Sequence, residues 1–352
     1  MDLVSHVLIG ACVAQIPSHS TNNSAHSNLS FYQRALIGGI AAIFPDIDYL
    51  LFLWNPLEFL AYWHRAETHS LLLAPLWALL LTKLWMLSNR LKQVQQLVFW
   101  ICILGVLSHS MLDSLTTYGT QWFSPLSDYR ISWNLLFIVD GYFTIVVVIT
   151  FLCMYFWPHK KIALFILLLP ISYLFLVYQI KLIAYQEIRS SLVDKTSTIS
   201  ILPQPFSPFY WHVIRENKEH IAHAYLRLAD DPLVPLISNL VGKKRYQDHF
   251  QRTSTLLWVD YALTPKQIDI RDDANRVWNH ESFRAFRDFA VYPIYYQHNK
   301  VAGQTCVWYS DLRYHSPAFL PSFRYGMCSE DGQNWTVHRM KYLTHKPVRI
   351  YQ

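Results

Sequence analysis

The sequence predicts a multi-pass α-helical membrane domain followed by a small soluble α+β domain. Hydrophobic residues make up 52% of the 352 residues and charged residues only 15%, whereas soluble domains are usually about one-quarter charged. Long apolar runs fill the first half and stop near Tyr185, and the remainder is polar enough to fold in water. We therefore expect a helical membrane domain at 1–185, a linker at 186–209 and an extracytoplasmic α+β domain at 210–352.

Apolar stretches in the first half predict its membrane helices in order. They lie at 3–16, 34–44, 71–88, 96–117, 134–157 and 161–185. A spanning helix needs about 20 residues, so the first stretch is expected to be half embedded. The start, Met1-Asp2-Leu3, lacks the positive region of a cleavable signal peptide, and none is expected. Trp54, Tyr62 and Trp63 suit the headgroup region, which indicates an interfacial segment at 49–63.

Positively charged loops predict the orientation of these helices. Arg90 and Lys92 separate the third and fourth helices, and His159-Lys160-Lys161 separates the fifth and sixth. Short loops rich in Lys and Arg lie on the cytoplasmic side of a membrane. The loops at 55–70 and 118–133, and the whole second half, are therefore expected on the opposite side.

The second half is interpreted as a small α+β domain. The prolines of Leu202-Pro203-Gln204-Pro205-Phe206-Ser207-Pro208 disfavour helix and indicate an extended linker. Residues 210–228 fit either two strands or an amphipathic helix, and the pattern does not settle which. Residues 274–289 have apolar side chains near helical spacing. Three further segments are expected to be strands, at 305–314, 322–328 and 335–343.

Cysteine usage leaves one structural alternative open. Cys12, Cys102 and Cys153 lie in apolar segments, where packing is the expected role. Cys306 and Cys328 lie in the polar half and could pair if that half is outside the cytoplasm.

The distribution of charge argues against nucleic acid as a partner. The formal charge is a modest +6, and Lys and Arg are spread along the chain. The basic run Lys243-Lys244-Arg245 is interpreted as a solvated loop. No nucleic acid is therefore expected to bind.

Ionisable residues at the ends of the apolar stretches are the strongest functional signal. Such groups cost several kcal/mol beside lipid unless they are paired, metal-bound or facing water. The predicted hairpins return these ends to one side of the membrane, so the side chains are expected to form one layer. Histidine and carboxylate ligands in mixture suit Zn²⁺, and also Mn²⁺ or Fe²⁺, with one or two ions. The predicted metal ligands are His6, Asp46, Asp48, His64, His69, His109 and Asp113.

Each predicted ligand also has a structural interpretation. His109 and Asp113 are four residues apart on one helix face, so they can hold an ion or simply hydrogen-bond. Asp46 could cap a helix, which explains one acid of the Asp46 and Asp48 pair but not both. A lone histidine such as His6 fits a hydrogen-bonded core residue. The joint arrangement favours a metal more than any single residue does.

Three residues are predicted to act beside the metal. A bound ion can lower the pKa of its water to about 7. A carboxylate such as Asp48 or Asp113 could bridge two ions, and a remaining acid, Asp48 or Glu67, would accept a proton as general base. Arg65 carries a fixed fork of donors that suits phosphate or a developing oxyanion. Its alternative role is that of an anchor to lipid headgroups.

These motifs, taken in order, resemble a known family. They are Met1-Asp2-Leu3-Val4-Ser5-His6, Phe44-Pro45-Asp46-Ile47-Asp48, His64-Arg65, Thr68-His69-Ser70, Gly105-Val106-Leu107-Ser108-His109, Leu112-Asp113 and Thr117-Tyr118-Gly119. Over about residues 1–185 the chain is similar to the bacterial membrane-bound metal-dependent hydrolases typified by the LexA-regulated inner-membrane protein YdjM. Ala66-Glu67 stands where that family often has a Gly. The resemblance implies a bacterial inner-membrane location and metal-dependent hydrolysis.

The leading hypothesis is an integral inner-membrane hydrolase with its metal site at the outer face and its C-terminal domain in the periplasm. An amphiphilic substrate is expected, with lipid phosphoesters favoured, so membrane lipid is the expected partner. A distant likeness to the zinc-dependent phospholipase C and P1 nuclease fold implies similar chemistry, although the N-terminal Trp ligand of those enzymes is absent.

Two other function classes are alternatives to the hydrolase. The alternative is a non-enzymatic membrane protein with a structural metal site or polar network and a partner-binding C-terminal domain. Transport is disfavoured, because no polar residues mark a path at mid-bilayer depth.

Overall fold

A computed structural model describes residues 1–17, 29–157, 160–217, 220–265, 267–342 and 344–350. His159, which entered the orientation argument, lies outside these residues. The chain divides into two compact units. The first consists of Met1–Tyr49, Arg65–Lys181 and Pro205–Pro208, and the second of Leu50–His64, Leu182–Gln204 and Phe209–Gln352. The segment Leu50–His64 therefore groups with the second unit, although it lies in sequence between membrane helices.

Helices account for most of the first unit and part of the second. In chain order they are α1 (Leu3–Val13), α2 (Phe31–Ile43), α3 (Pro56–Glu58), α4 (Ala74–Trp85), α5 (Gln95–Ser114), α6 (Gly141–Phe156), α7 (Lys160–Ile166), α8 (Leu168–Ser191), α9 (Leu233–Leu240), α10 (Ile268–Asn279) and α11 (Arg284–Phe289). A 3₁₀ segment, Phe44–Leu53, continues directly from α2.

Within the described residues, three helical stretches are long and apolar enough to cross a membrane. They are Phe31–Leu53, Leu91–Ser114 and Lys161–Ser191. Shorter apolar helices occur at Leu3–Val13, Ala74–Trp85 and Gly141–Phe156. The first half of the chain thus carries three candidate membrane helices together with shorter apolar helices.

Helix α6 begins later than the sequence predicts. Asn134, the predicted start, has a left-handed φ of +51°, which a helix does not accommodate. Asp140 instead caps α6, because its Oδ1 accepts a hydrogen bond from the backbone nitrogen of Phe143 at 2.8 Å. The predicted helix over 134–157 is therefore wrong for its first seven residues, and Asp140 has a capping role.

Helices α1, α2 and α5 approach one another at glycines. A Cβ built on Gly10 would lie 2.4 Å from the Cβ of Ala42, and one on Gly38 would lie 2.3 Å from the carbonyl oxygen of Gly10. A Cβ on Gly105 would lie 2.8 Å from the Cβ of Ala41. Small residues permit such close backbone approach, as is common between membrane helices. This packing places the first turns of α1 beside the last turns of α2 and α5.

The second unit contains two antiparallel sheets. One has the order β1 (Thr198–Pro203), β2 (Tyr210–Glu216), β3 (Ile221–Arg227) and β4 (Val259–Tyr261). The other has the order β5 (Pro293–Val301), β6 (Gln304–Asp311), β7 (Tyr325–Ser329), β8 (Thr336–Met340) and β9 (Pro347–Arg349). The sheets share a core in which Leu202 and Ile214 pack with Ile294 and Leu312.

The structure corrects two elements predicted in the second half and settles a third. Residues 198–203, expected in a linker, form β1, because an edge strand tolerates proline at its end and Leu202 is buried. The open choice over 210–228 resolves to strands β2 and β3. The predicted helix over 274–289 starts earlier, at Ile268, and is interrupted at His280. The predicted strands at 305–314, 322–328 and 335–343 correspond to β6, β7 and β8.

Cys306 and Cys328 form a disulfide between β6 and β7. The two residues are directly paired in the sheet register, and both are buried. The pairing that the sequence left open is therefore present, and it covalently joins two strands of the five-stranded sheet.

Removing this disulfide is expected to destabilise the second unit by about 2–5 kcal/mol, since native disulfides constrain the unfolded chain. We expect a Cys306→Ala/Cys328→Ala double variant to melt at a lower temperature than wild type, as measured by differential scanning fluorimetry. Cys153→Ala, at a free cysteine in α6, is the matched control and should melt at the wild-type temperature. Equal melting of the double variant and wild type would contradict the prediction.

His212, His223 and His315 are buried in the second unit. His212 Nε2 and His223 Nδ1 are 2.7 Å apart, and His315 Nε2 is 2.9 Å from Ser310 Oγ. Burial lowers the pKa of His223 to about 4 and the pKa of His315 to about 3. Burial also lowers the pKa of His212. All three imidazoles are therefore neutral at pH 7.

Acidification is expected to destabilise the second unit. Histidine in the unfolded chain has a pKa near 6.5, whereas folded His223 has a pKa of about 4. Between these values the unfolded chain binds more protons, so the free energy of unfolding decreases as the pH is lowered. The loss for His223 is about 2 kcal/mol by pH 5, at 1.36 kcal/mol per pH step. Melting temperatures measured between pH 7 and pH 5 test this, with His223→Gln expected to flatten the profile. A wild-type profile as flat as that of His223→Gln would refute it.

Candidate metal centre

Four ionisable side chains meet where the helices of the first unit end. Asp46 lies at the start of the 3₁₀ segment after α2, and His69 ends a short 3₁₀ turn at Glu67–His69. His109 and Asp113 lie in the last turns of α5, one turn apart on the same face. Each residue offers one potential metal-binding atom, and these four atoms all lie within 4.8 Å of one another.

The distances between these donors define a compact four-cornered site. His69 Nε2 and His109 Nε2 are 3.0 Å apart. Each nitrogen lies 3.4 Å from Asp113 Oδ2. Asp46 Oδ1 lies 3.7 Å from His69 Nε2 and 3.6 Å from His109 Nε2.

This donor set fits a tetrahedrally bound divalent cation. Ligand atoms about 2.0–2.1 Å from a tetrahedral ion are roughly 3.3 Å from one another, and the five separations given above run from 3.0 to 3.7 Å. Two imidazoles and two carboxylates suit first-row divalent metals. The residues therefore form a potential metal-binding site.

The hydrogen bond of His109 supports its role as a metal ligand. His109 Nδ1 lies 2.5 Å from the carbonyl oxygen of Ala42. A carbonyl can only accept a hydrogen bond, so Nδ1 carries a proton, and in the neutral imidazole Nε2 presents its lone pair to the cluster. A backbone partner on the outer nitrogen is the usual way in which proteins orient metal-binding histidines.

Arg65 fixes the position of Asp113. Its Nε lies 2.8 Å from Asp113 Oδ2, and its Nη1 donates to the carbonyl oxygen of Asp113 at 3.2 Å and to Thr116 Oγ1 at 2.8 Å. The guanidinium also lies 5.1 Å from the ring centre of Tyr118. Arg65 is buried and has a left-handed φ of +58°. These contacts make it a positioning residue for Asp113, and its predicted action on an oxyanion stays a prediction.

Two predicted ligands lie beside the four donors. His6 Nε2 is 3.2 Å from Asp113 Oδ1, and the His6 ring stacks on His109 with ring centres 3.8 Å apart. Asp48 Oδ2 accepts a hydrogen bond from the backbone nitrogen of Arg65 at 3.0 Å, and it lies 3.6 Å from His69 Nδ1. Asp48 thus connects the chain after α2 to the loop that carries His69.

His64 and Glu67 are not among the four donors. His64 belongs to the second unit, where it is buried and its ring lies 4.8 Å from that of Phe59. Glu67 is exposed, and its carbonyl oxygen accepts a hydrogen bond from Trp77. Their predicted roles, as ligand and as general base, remain predictions.

Comparison with known proteins places the chain in a family. The YdjM inner membrane protein family model matches residues 1–183. The chain belongs to this family. It is also 35% identical over 104 residues to the inner membrane protein YbcI of Escherichia coli (strain K12), a match covering 28% of this chain and 57% of that protein. The chain thus spans just over half the length of that relative. No solved structure matches it.

The structure shows contacts at this site that the sequence does not predict. Thr116 contacts Arg65, and the carbonyl oxygen of Ala42 contacts His109. Tyr118 lay in a motif already associated with the family, but its contact with Arg65 depends on the turn after α5. Such contacts arise from helix packing and have no periodic signal in the sequence.

Proposed function

We propose that this protein is a multi-pass inner-membrane hydrolase that uses a divalent metal, with zinc favoured, to cleave a phosphoester or another amphiphilic substrate. The metal would be held by Asp46, His69, His109 and Asp113. Membership of an inner-membrane protein family supports the membrane location, and the geometry of the four donors supports a bound metal. The reaction itself is our inference from the chemistry of the site.

The accessibility of Asp46 is the observation that carries catalysis over a purely structural site. The side chains of His69, His109 and Asp113 are 0–1% exposed, whereas that of Asp46 is 28% exposed. Structural metal sites are closed, while catalytic sites keep a position open to water or substrate. Because solvent reaches this site at Asp46, the geometry supports a catalytic metal site.

The proposed chemistry divides between the ion and the surrounding residues. A bound divalent cation lowers the pKa of a water to about 7 and polarises a phosphoryl oxygen. Asp48 and Glu67 are the proposed proton acceptors. Arg65 holds Asp113 in place, and the carbonyl oxygen of Ala42 orients the imidazole of His109. Exposed apolar side chains on the helices would let the acyl part of a lipid stay in the bilayer.

We further propose that the second unit lies on the periplasmic side. Its disulfide supports this, since disulfides persist in oxidising compartments and are rare in the cytoplasm. The cytoplasmic loops proposed from Arg90 and Lys92 are consistent with that orientation.

Hydrolysis of defined lipids tests the proposal. Purified protein in nanodiscs would be incubated with phospholipids, with chelator, and with chelator followed by Zn²⁺, Mn²⁺ or Fe²⁺. We expect release of a phosphorylated headgroup or of phosphate that chelator abolishes and one metal restores. Asp48→Asn and Glu67→Gln should lower turnover without removing metal. Loaded protein that binds metal yet cleaves no lipid would overturn the enzymatic proposal.

A structural role for the cluster is the second candidate. The ion pair between Arg65 and Asp113 is buried, and three of the four donors are almost fully buried. Such a network could hold α1, α2 and α5 together without turnover. Metal-loaded protein that cleaves no lipid, and that unfolds when a chelator removes the metal, would favour this role.

A further inference from the structure

Helix α9 exposes an apolar face in the second unit. Leu233, Leu236 and Leu240 are 44%, 60% and 79% exposed, and their spacing of three and four residues places them on one side of the helix. Val234 and Ser238, which are fully buried, hold the opposite side to the unit. An exposed leucine stripe of this kind is unusual on a surface that meets only water.

Basic residues follow this leucine face directly. Lys243, Lys244 and Arg245 come within five residues of Leu240. Lys243 Nζ donates to the carbonyl oxygen of Ala318 at 2.6 Å and lies 4.6 Å from the Phe319 ring centre, which fixes its charge at the surface.

Acidic neighbours cancel only part of this charge. Arg245 is 2.7 Å from Asp248, so three cations and one anion leave a net charge of +2. Asp230 is already paired with two arginines. Asp231 is buried and accepts a hydrogen bond from the backbone nitrogen of Leu233.

We propose that α9 and Lys243-Lys244-Arg245 form an interfacial anchor that binds the second unit to an anionic lipid surface. The leucines would enter the boundary between headgroups and acyl chains, and the cations would contact lipid phosphates. An apolar helix face beside Lys and Arg is the composition that binds membrane interfaces. Each cation near an anionic leaflet adds attraction that falls off within a Debye length.

The bilayer is favoured over a protein as the occupant of this face. The chain belongs to an inner-membrane protein family and carries three candidate membrane helices. The second unit is therefore tethered to a bilayer by its own chain. The positive charge also complements lipid phosphate. The basic run interpreted from sequence as a solvated loop thus gains a specific role, and this role does not depend on the proposed hydrolase activity.

Depth-dependent fluorescence quenching tests the anchor in the full-length protein. Leu236→Cys would carry an environment-sensitive fluorophore in nanodiscs containing phosphatidylglycerol and a lipid bearing a spin label near the headgroup. Gln333→Cys, in an exposed turn of the same unit, is the matched control. We expect strong quenching and a blue-shifted emission at 236 and little change at 333.

Charge and lipid composition separate the possible outcomes. Quenching at 236 should fall when Lys244→Glu and Arg245→Glu are combined, and when phosphatidylcholine replaces phosphatidylglycerol, with melting temperature unchanged. Equal, weak quenching at both positions would overturn the anchor. Efficient disulfide cross-linking of unlabelled Leu236→Cys between two chains, without quenching, would instead assign the face to a second copy and also overturn it. Quenching at 236 that changes neither on charge reversal nor on exchange of phosphatidylglycerol for phosphatidylcholine would overturn the role of the cations.

Discussion

Replacing His109 with alanine is expected to remove the bound metal while the protein still inserts and folds. His109 supplies one of four converging donors, and its Nε2 lies 3.0–3.6 Å from donor atoms of the other three. Loss of a residue that merely supports a ligand costs about 10–100-fold in metal affinity, so loss of a ligand should cost at least about 100-fold. Metal content of the purified variant, measured by inductively coupled plasma mass spectrometry, tests this.

The choice of variants makes the metal experiment interpretable. His69→Ala should behave like His109→Ala, whereas His249→Ala, at an exposed histidine, should keep the wild-type content. Asp113→Ala should also lose metal, but it leaves Arg65 as a buried unpaired charge, which typically costs about 3–5 kcal/mol. The histidine variants therefore carry the test. Unchanged metal in both of them would show that the assigned donors are wrong.

Replacing Gly38 with leucine is expected to prevent assembly of the helical unit. A Cβ at this position would lie 2.3 Å from the backbone oxygen of Gly10 and 2.5 Å from the Cβ of Ala14. Neither neighbour is a flexible side chain, so α1 and α2 must separate. Overpacking usually costs about 1–3 kcal/mol, and the backbone contact here places the expected loss at or above the upper end. Fluorescence-detected size-exclusion chromatography after heating reports the surviving folded fraction.

Gly141 provides the matched control for this substitution. It lies at the start of α6, and a Cβ there would meet nothing within 4 Å. Gly141→Ala should therefore leave the folded fraction unchanged, and Gly38→Ala should already reduce it. Wild-type behaviour of Gly38→Leu would mean that α1 and α2 do not pack as described.

The sequence predicted helices in the first half because the signals for helices are local. Apolar runs of suitable length mark them. The start of α6 was wrong because Asn134 and Asp140 act through backbone conformation and capping, which an apolar pattern does not reveal. The strand at 198–203 was missed because the prolines from Pro203 onward were interpreted as an extended linker, whereas an edge strand accepts proline at its end.

The candidate site was predicted in part, for reasons that can be stated physically. Residues at helix ends were expected to share one layer, and four of them share one site. The spacing of the other predicted ligands in the sequence does not show which of them would bind a metal. Asp48 holds the backbone of Arg65, and Arg65 is engaged by Asp113 and Thr116. Those roles depend on a turn with positive φ and on long-range packing.

X-ray absorption at the metal edge of the purified protein tests the central claim most directly. The account predicts a bound first-row divalent metal with a shell of nitrogen and oxygen at about 2.0–2.1 Å and the scattering pattern of two imidazoles. A shell containing sulfur, or no metal after exposure to Zn²⁺, Mn²⁺ and Fe²⁺, would contradict it.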